Sequence, residues 1–211
     1  YKSRIYEDDL IKVGKVSLIS NPVNVYSKEP LAFFEISELM KNTKLDVTIH
    51  TPYFIGNKMM YDKLGQISKT TPTILFTNSP KSGANTAGRG EYLLFQRKLR
   101  SMDLALLENE RPMSYHGKAF AIDDNISAIG SFNWDMRSTY IDTELMLVIE
   151  GKEINEKLRE DFAYYEKDAS RVLEDGQRFR PSGKDPSKLN MISKLVALLF
   201  TILTYPLRFL Y

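Results

Sequence analysis

Short aliphatic runs alternate with longer amphipathic stretches through most of this chain. Val16-Ser17-Leu18-Ile19-Ser20 reads as a strand, closed by Asn21-Pro22. Pro30 suits the first turn of a helix reaching about residue 42, with Leu31, Phe34, Ile36 and Leu39 as its apolar face. Residues 45–50 alternate and are β-branched, which predicts a strand, and 51–56 then form a loop. A helix is expected over 58–68, a buried strand over 73–76, and a loop rich in Gly, Ser and Asn over 78–90. A helix over 91–100 and a strand over 104–108 follow. Residues 115–122 and 127–129 form a hairpin through the turn-favouring Asp123-Asp124-Asn125. A strand over 144–149 and a long amphipathic helix over 152–173 complete the pattern. Alternation of this kind predicts an α/β fold with helices covering a mixed sheet.

The tail departs from this pattern. Residues 177–187 are polar and carry Pro181, Gly183 and Pro186, whereas 191–211 are strongly apolar, with Lys194 and Arg208 as the basic residues. The expected division is a main domain over 1–176, a polar linker over 177–190 and a membrane-interacting tail over 191–211. A spanning helix wants ~20 uninterrupted apolar residues. Lys194, Pro206 and Arg208 interrupt the flanks, so an interfacial or re-entrant segment with basic residues over anionic headgroups is favoured over a full span or docking onto the protein itself.

Composition narrows the classes. The chain has 211 residues, a net charge of +2 and no cysteine. It is long enough for one ordinary core, it cannot use disulfides or thiolate metal sites, and its charge is too balanced to argue for nucleic acid. It starts at Tyr1, so it is read as processed, cut or part of a longer protein, and residues 1–11 are charged and polar rather than leader-like.

The candidate chemistry lies in one stretch: His116-Gly117-Lys118, then Asp123, then Gly130-Ser131-Phe132-Asn133. Residues two apart on a strand share a face, so His116 and Lys118 project together, while Asp123, an odd number of positions away, points elsewhere and reads as a structural carboxylate. Lys118 supplies positive charge to a phosphodiester, Ser131 and Asn133 supply neutral donors, and Gly130 permits close backbone approach. His116 is the natural nucleophile at phosphorus, and an imidazole in that role needs a carboxylate on its second nitrogen. Glu144 is the best-placed candidate, with Asp135 and Asp142 as alternatives. His50 has no such pattern around it and reads as a structural histidine. Thr51-Pro52-Tyr53-Phe54 is either a strand-ending turn with packed aromatics or a substrate contact. The pattern amounts to half a site, completed either by a second copy across a two-fold axis or by a further N-terminal segment.

His116-x-Lys118-x4-Asp123-x6-Gly130-Ser131-x-Asn133 matches the HKD signature of the phospholipase D superfamily. Thr51-Pro52-Tyr53-Phe54, Arg97-Lys98-Leu99, Tyr115 and the run from Trp134 through Thr143-Glu144 further resemble the C-terminal half of bacterial cardiolipin synthases, and the tail is similar to theirs. The resemblance implies a phospholipase D-like α-β-α sandwich around a mixed sheet, plus a C-terminal apolar helix. It implies a phosphatidyltransferase that needs a second HKD half, uses no cofactor or metal, acts on phospholipids, and sits on the bacterial cytoplasmic membrane by peripheral or re-entrant attachment. Residue by residue, His116 becomes one of a histidine pair, more in keeping with the general acid. Lys118 and Asn133 bind phosphate, Ser131 supports it, and Glu144 orients His116. The alternatives are a homodimeric phosphodiesterase or nuclease of the same superfamily, with nucleic acid disfavoured by charge, and a non-catalytic lipid-binding half.

Overall fold

A computed structural model describes residues 10–23, 29–83 and 86–210. Residues 1–9, which carry most of the reading of the N-terminal stretch, lie outside it. Among the described residues the main strands are β1 (Lys15–Ser20), β2 (Val47–His50), β4 (Thr73–Asn78), β5 (Ala105–Asn109), β6 (Ala119–Ile122), β7 (Ile126–Gly130), β9 (Leu145–Glu150), β10 (Ser170–Val172) and β11 (Arg178–Phe179). They form one nine-stranded sheet in the order β1-β9-β7-β6-β2-β4-β5-β10-β11. The centre, β2-β4-β5, is parallel and the flanks are antiparallel. A second, two-stranded sheet pairs β3 (Phe54–Ile55) with β8 (Trp134–Asp135) in parallel.

Helices α1 (Leu31–Lys41), α2 (Lys58–Thr70) and α3 (Thr86–Arg100) share the large core on one face of the sheet, and α5 (Lys152–Glu166) packs on the other through Phe162 and Leu158. The short α4 (Met136–Tyr140) follows β8, and α6 (Met191–Thr204) passes into a 3-10 turn over Tyr205–Leu210. This is the mixed-sheet α/β architecture that the alternating pattern predicts.

Some details differ. The buried face of α1 is Ala32, Phe33, Ile36 and Met40, while Leu31 and Phe34 are exposed. The apolar residues of this helix outnumber the positions that one face offers, so periodicity alone does not choose among them. All four residues of β2 are buried, because helices cover both faces of this central strand. The helix expected to reach residue 173 ends at Glu166, and Ser170–Val172 turns back to pair with β5. β11 forms within the stretch read as a linker.

The tail docks on α3. Ala197 and Thr201 are buried there against Gly90, where a Cβ would lie 1.9 Å from Thr201 Oγ1 and 2.3 Å from the Ala197 carbonyl oxygen. Arg208 forms an ion pair with the buried Glu91 and donates to the Gly56 carbonyl at 2.7 Å. The remaining faces of α6 and the turn are apolar and exposed, and Met191–Leu210 is long and apolar enough to cross a membrane by length and composition.

Candidate active site

His116, Gly117 and Lys118 lie in an extended segment that enters β6, and the ladder to β7 continues upstream through Gly130 N–H donating to the Lys118 carbonyl at 3.1 Å. Lys118 Nζ sits 2.8 Å from Nδ1 and 3.2 Å from Nε2 of His116, and donates to the His116 carbonyl at 2.9 Å. The imidazole is exposed and the lysine buried. Both line an open cleft of about 720 Å³ together with Gly130, Ser131, Asn133, Glu144, Leu158 and Asp161.

The Gly130–Asn133 turn is held from behind. Gly130 lies so close to β9 that a Cβ would fall 2.0 Å from the Leu145 carbonyl oxygen, which explains a glycine at this position. Ser131 N–H donates to that carbonyl at 2.9 Å, its hydroxyl accepts from Leu145 N–H at 3.0 Å, and it donates to the Glu144 carboxylate. The carboxylate expected on His116 is thus bonded to Ser131 instead, because the β7–β9 register sets residues 131 and 145 side by side. Asn133 Nδ2 points at Ser138 Oγ, 3.2 Å away, and its Oδ1 is buried without a partner. A half turn of the amide exchanges the two groups.

Several positioning residues escaped the sequence reading. Asn21 donates to the Ser138 and Asp142 carbonyls, accepts from Ala32 N–H, and its own N–H bonds the Glu144 carbonyl at 3.0 Å. Its sequence context is a strand end before proline, which says nothing of this. Ser138, within α4, supports Asn133, and Thr51 Oγ1 accepts from Trp134 N–H at 3.1 Å. The Thr51 hydroxyl and the β3 strand paired with Trp134–Asp135 therefore hold the chain just after Asn133 in place.

Partial loss of solvent within the cleft lowers the pKa of the His116 imidazole, and the Lys118 ammonium lowers it further. Burial likewise lowers that of Lys118, opposed by the charges of Glu144 and Asp135. Burial pushes the Asp135 carboxyl up to about 6, against the bonds that it accepts from Ser138. A neutral ring beside a cation, with carboxylates behind the cation, is an arrangement that receives an anion.

Asp123 lies at the far end of β6. Its carboxylate accepts from the Lys44 and Leu45 N–H groups at 3.0 and 2.7 Å, in a turn where its own φ is +51°. His50 is fully buried, stacked between Phe76 and Phe162 with Nε2 2.8 Å from Glu166 Oε1, so it ties β2 to α5. Among the described residues no group of His, Asp or Glu converges as a metal site.

The family profile described as "Cardiolipin synthase, PLD-like domain" matches residues 36–165, most of the chain and every residue that lines the cleft around His116 and Lys118. The chain belongs to the phospholipase D-like family. Cardiolipin synthase C of Escherichia coli is 26% identical over 188 residues, covering 80% of this chain and 38% of that protein. The minor cardiolipin synthase ClsB of Bacillus subtilis is 25% identical over 142 residues, 67% of this chain and 34% of its own length. A Helicobacter pylori protein without an assigned activity is 32% identical over 149 residues, 64% of this chain and 29% of that one. The chain thus spans about a third of the length of these relatives. The fold resembles the phospholipase D family member Nuc of Salmonella typhimurium, with a TM-score of 0.61 at 15% identity, covering 79% of this chain and 98% of that one. It also resembles phosphatidylserine synthase of Haemophilus influenzae, with a TM-score of 0.65 at 13% identity, covering 93% and 47%.

Proposed function

We propose that this chain supplies one half of a phosphatidyl-transfer site of the cardiolipin synthase type. The observation that carries the reading is the Lys118 ammonium set 2.8 Å from the His116 imidazole in an open cleft. Lys118 binds the phosphate oxygens and holds charge as it builds on them. In the nucleophile role, His116 nitrogen forms a bond to phosphorus, the bond to the leaving alkoxide breaks, and an acid on the second half protonates that oxygen. The hydroxyl of a second lipid then attacks phosphorus, releasing the imidazole and passing its proton to the same base. The lowered pKa of the free ring suits this role. A bound phosphodiester anion offsets the Lys118 charge and raises the ring pKa, which suits the acid role of the same residue. Ser131 and Glu144 act as a unit, fixing the turn and keeping a negative charge behind Lys118.

The second half needs a seat. Val16, Leu18, Leu145, Leu147 and Ile129 are exposed on one face of the neighbouring strands β1, β9 and β7, where solvent-facing positions of a free sheet are normally polar. Ile129 also lines the catalytic cleft, so this apolar face runs into the half-site. It fits a second half of the same fold, bringing the complementary histidine. The exposed apolar sides of α6, flanked by Lys184, Lys188 and Lys194, fit an anionic lipid surface.

The test is incubation, together with a segment bearing a second His-x-Lys motif, in vesicles of phosphatidylglycerol and phosphatidylethanolamine. Cardiolipin is expected, lost with His116→Ala. Phosphatidic acid as sole product would contradict transfer to a lipid acceptor. The second reading, a homodimeric phosphodiesterase or nuclease, draws on the near-complete coverage of Nuc. Turnover of bis-p-nitrophenyl phosphate by a dimer of this chain alone would favour it.

A further inference from the structure

Two clefts meet at His116. The first is the polar one around Lys118 and Ser131. The second, about 680 Å³, adjoins it, and the two share Tyr115, His116, Gly117 and Asp161 in their walls. The second cleft differs in chemistry. Its walls are Pro112, Met113, Tyr164 and Tyr165, with Met113 82% and Tyr164 53% exposed.

The cation of this cleft, Arg111, is already engaged. Its guanidinium donates to the Tyr164 carbonyl at 2.5 Å, pairs with Asp168 at 3.3 Å, and lies over the rings of Tyr164 and Tyr165 at 4.1 and 4.8 Å. It stiffens the aromatic wall rather than offering itself to an anion. Asp161, exposed where the clefts join, repels a second phosphate. What remains is an apolar floor with hydroxyl tips, the surface that tyrosine presents where hydrocarbon gives way to water, and Met113, an adaptable thioether suited to aliphatic chains. The volume is within the range of small-ligand sites.

We infer that this aromatic cleft binds the glycerol-ester region and first acyl methylenes of the phospholipid whose phosphodiester sits at His116 and Lys118. The inference rests on the phosphodiester reading of the first cleft and adds the subsite that separates a lipid from a soluble diester. A site that binds only the phosphodiester treats both alike.

The experiment measures binding by calorimetry of two monomeric probes with the same headgroup, dihexanoyl-phosphatidylglycerol and glycerophosphoglycerol. The unaltered chain should bind the acylated probe about tenfold more tightly, the effect of about two buried methylenes. The double variant M113N/Y164S should lose that preference while keeping its affinity for glycerophosphoglycerol. Lys118→Ala should weaken both probes. Equal affinity for both probes in the unaltered chain, or an undiminished preference in the double variant, overturns the subsite. Failure of glycerophosphoglycerol to bind, or indifference of both probes to Lys118→Ala, removes the phosphate site itself and the subsite with it. A circular dichroism spectrum matching that of the parent is required of the double variant. If it unfolds, the single variant Met113→Asn, at a position 82% exposed, decides by the same criteria.

Discussion

Replacing Arg208 by methionine tests whether the apolar tail is part of the folded unit. Arg208 reaches from the 3-10 turn to Glu91 on α3; the carboxylate is 0% exposed and the arginine side chain 15%. The guanidinium also donates to the Gly56 carbonyl and lies 5.1 Å from the Phe95 ring. Removing one partner of a buried pair leaves an uncompensated charge, a loss of about 3–5 kcal/mol. Two effects limit it here: Arg208 keeps some solvent, and Glu91, whose pKa burial already raises against the pull of Arg208, takes up a proton once the cation is gone. We expect about 3 kcal/mol at pH 8. The folded pKa of Glu91 in the variant lies above its unfolded value, so stability is retained at low pH and lost as pH rises through the folded pKa. The deficit should therefore shrink at pH 5. The double variant E91L/R208M should recover most of it, since neither charge is then stranded. Urea unfolding followed by Trp134 fluorescence gives the global term, and tryptic cleavage at Lys194 reports tail release if the loss is local. An Arg208→Met variant within about 0.5 kcal/mol of the parent at both pH values, with Lys194 still protected, would refute the docked tail.

Gly130→Ala, whose Cβ meets the Leu145 carbonyl, should shift the Ser131 turn and abolish phosphodiester binding, with a stability loss of about 1–3 kcal/mol in urea; unchanged binding would show that the close approach is immaterial. Asp135→Asn keeps the acceptor for Ser138 N–H and removes a carboxyl whose pKa is raised to about 6. The parent's stability from this group is present at pH 4 and lost as pH rises through 6, so the variant should gain up to about 3 kcal/mol relative to the parent across that interval in parallel urea titrations; parallel curves would contradict the burial argument. Leu18→Lys combined with Leu147→Glu, an opposite-charge pair directly across the β1–β9 ladder, should leave urea stability within about 0.5 kcal/mol and prevent cardiolipin formation with the second half; undiminished product would place the partner elsewhere.

Local chemistry was readable in the sequence and distant contacts were not. The spacing of His116, Lys118 and Gly130 sufficed to place a cation beside an imidazole, because strand geometry alone brings residues two apart together. Parity likewise removed Asp123 from the cleft, and the missing pattern around His50 marked it as the core histidine it is. The Ser131–Glu144 bond depends on the pairing register of β7 with β9, which no local pattern encodes. Asn21 joins segments more than a hundred positions away. Arg208, a single basic residue in an apolar stretch, has the look of a headgroup anchor until α3 brings Glu91 beneath it. The helix expected over 152–173 stops at Glu166 for a simpler reason: the residues after it keep a helical polarity pattern, and the pairing of Ser170–Val172 with β5 overrides it.

The central claim is that the imidazole of His116 and the ammonium of Lys118, side by side, engage the same phosphodiester. Nitrogen-15 NMR of histidine-labelled protein tests it directly, with His50 as an internal buried reference. His116 should titrate below its ordinary value, move up in Lys118→Met as the neighbouring charge is lost, and move up in the parent when glycerophosphoglycerol is added. A ring that titrates at about 6.5 and responds to neither change would contradict the account.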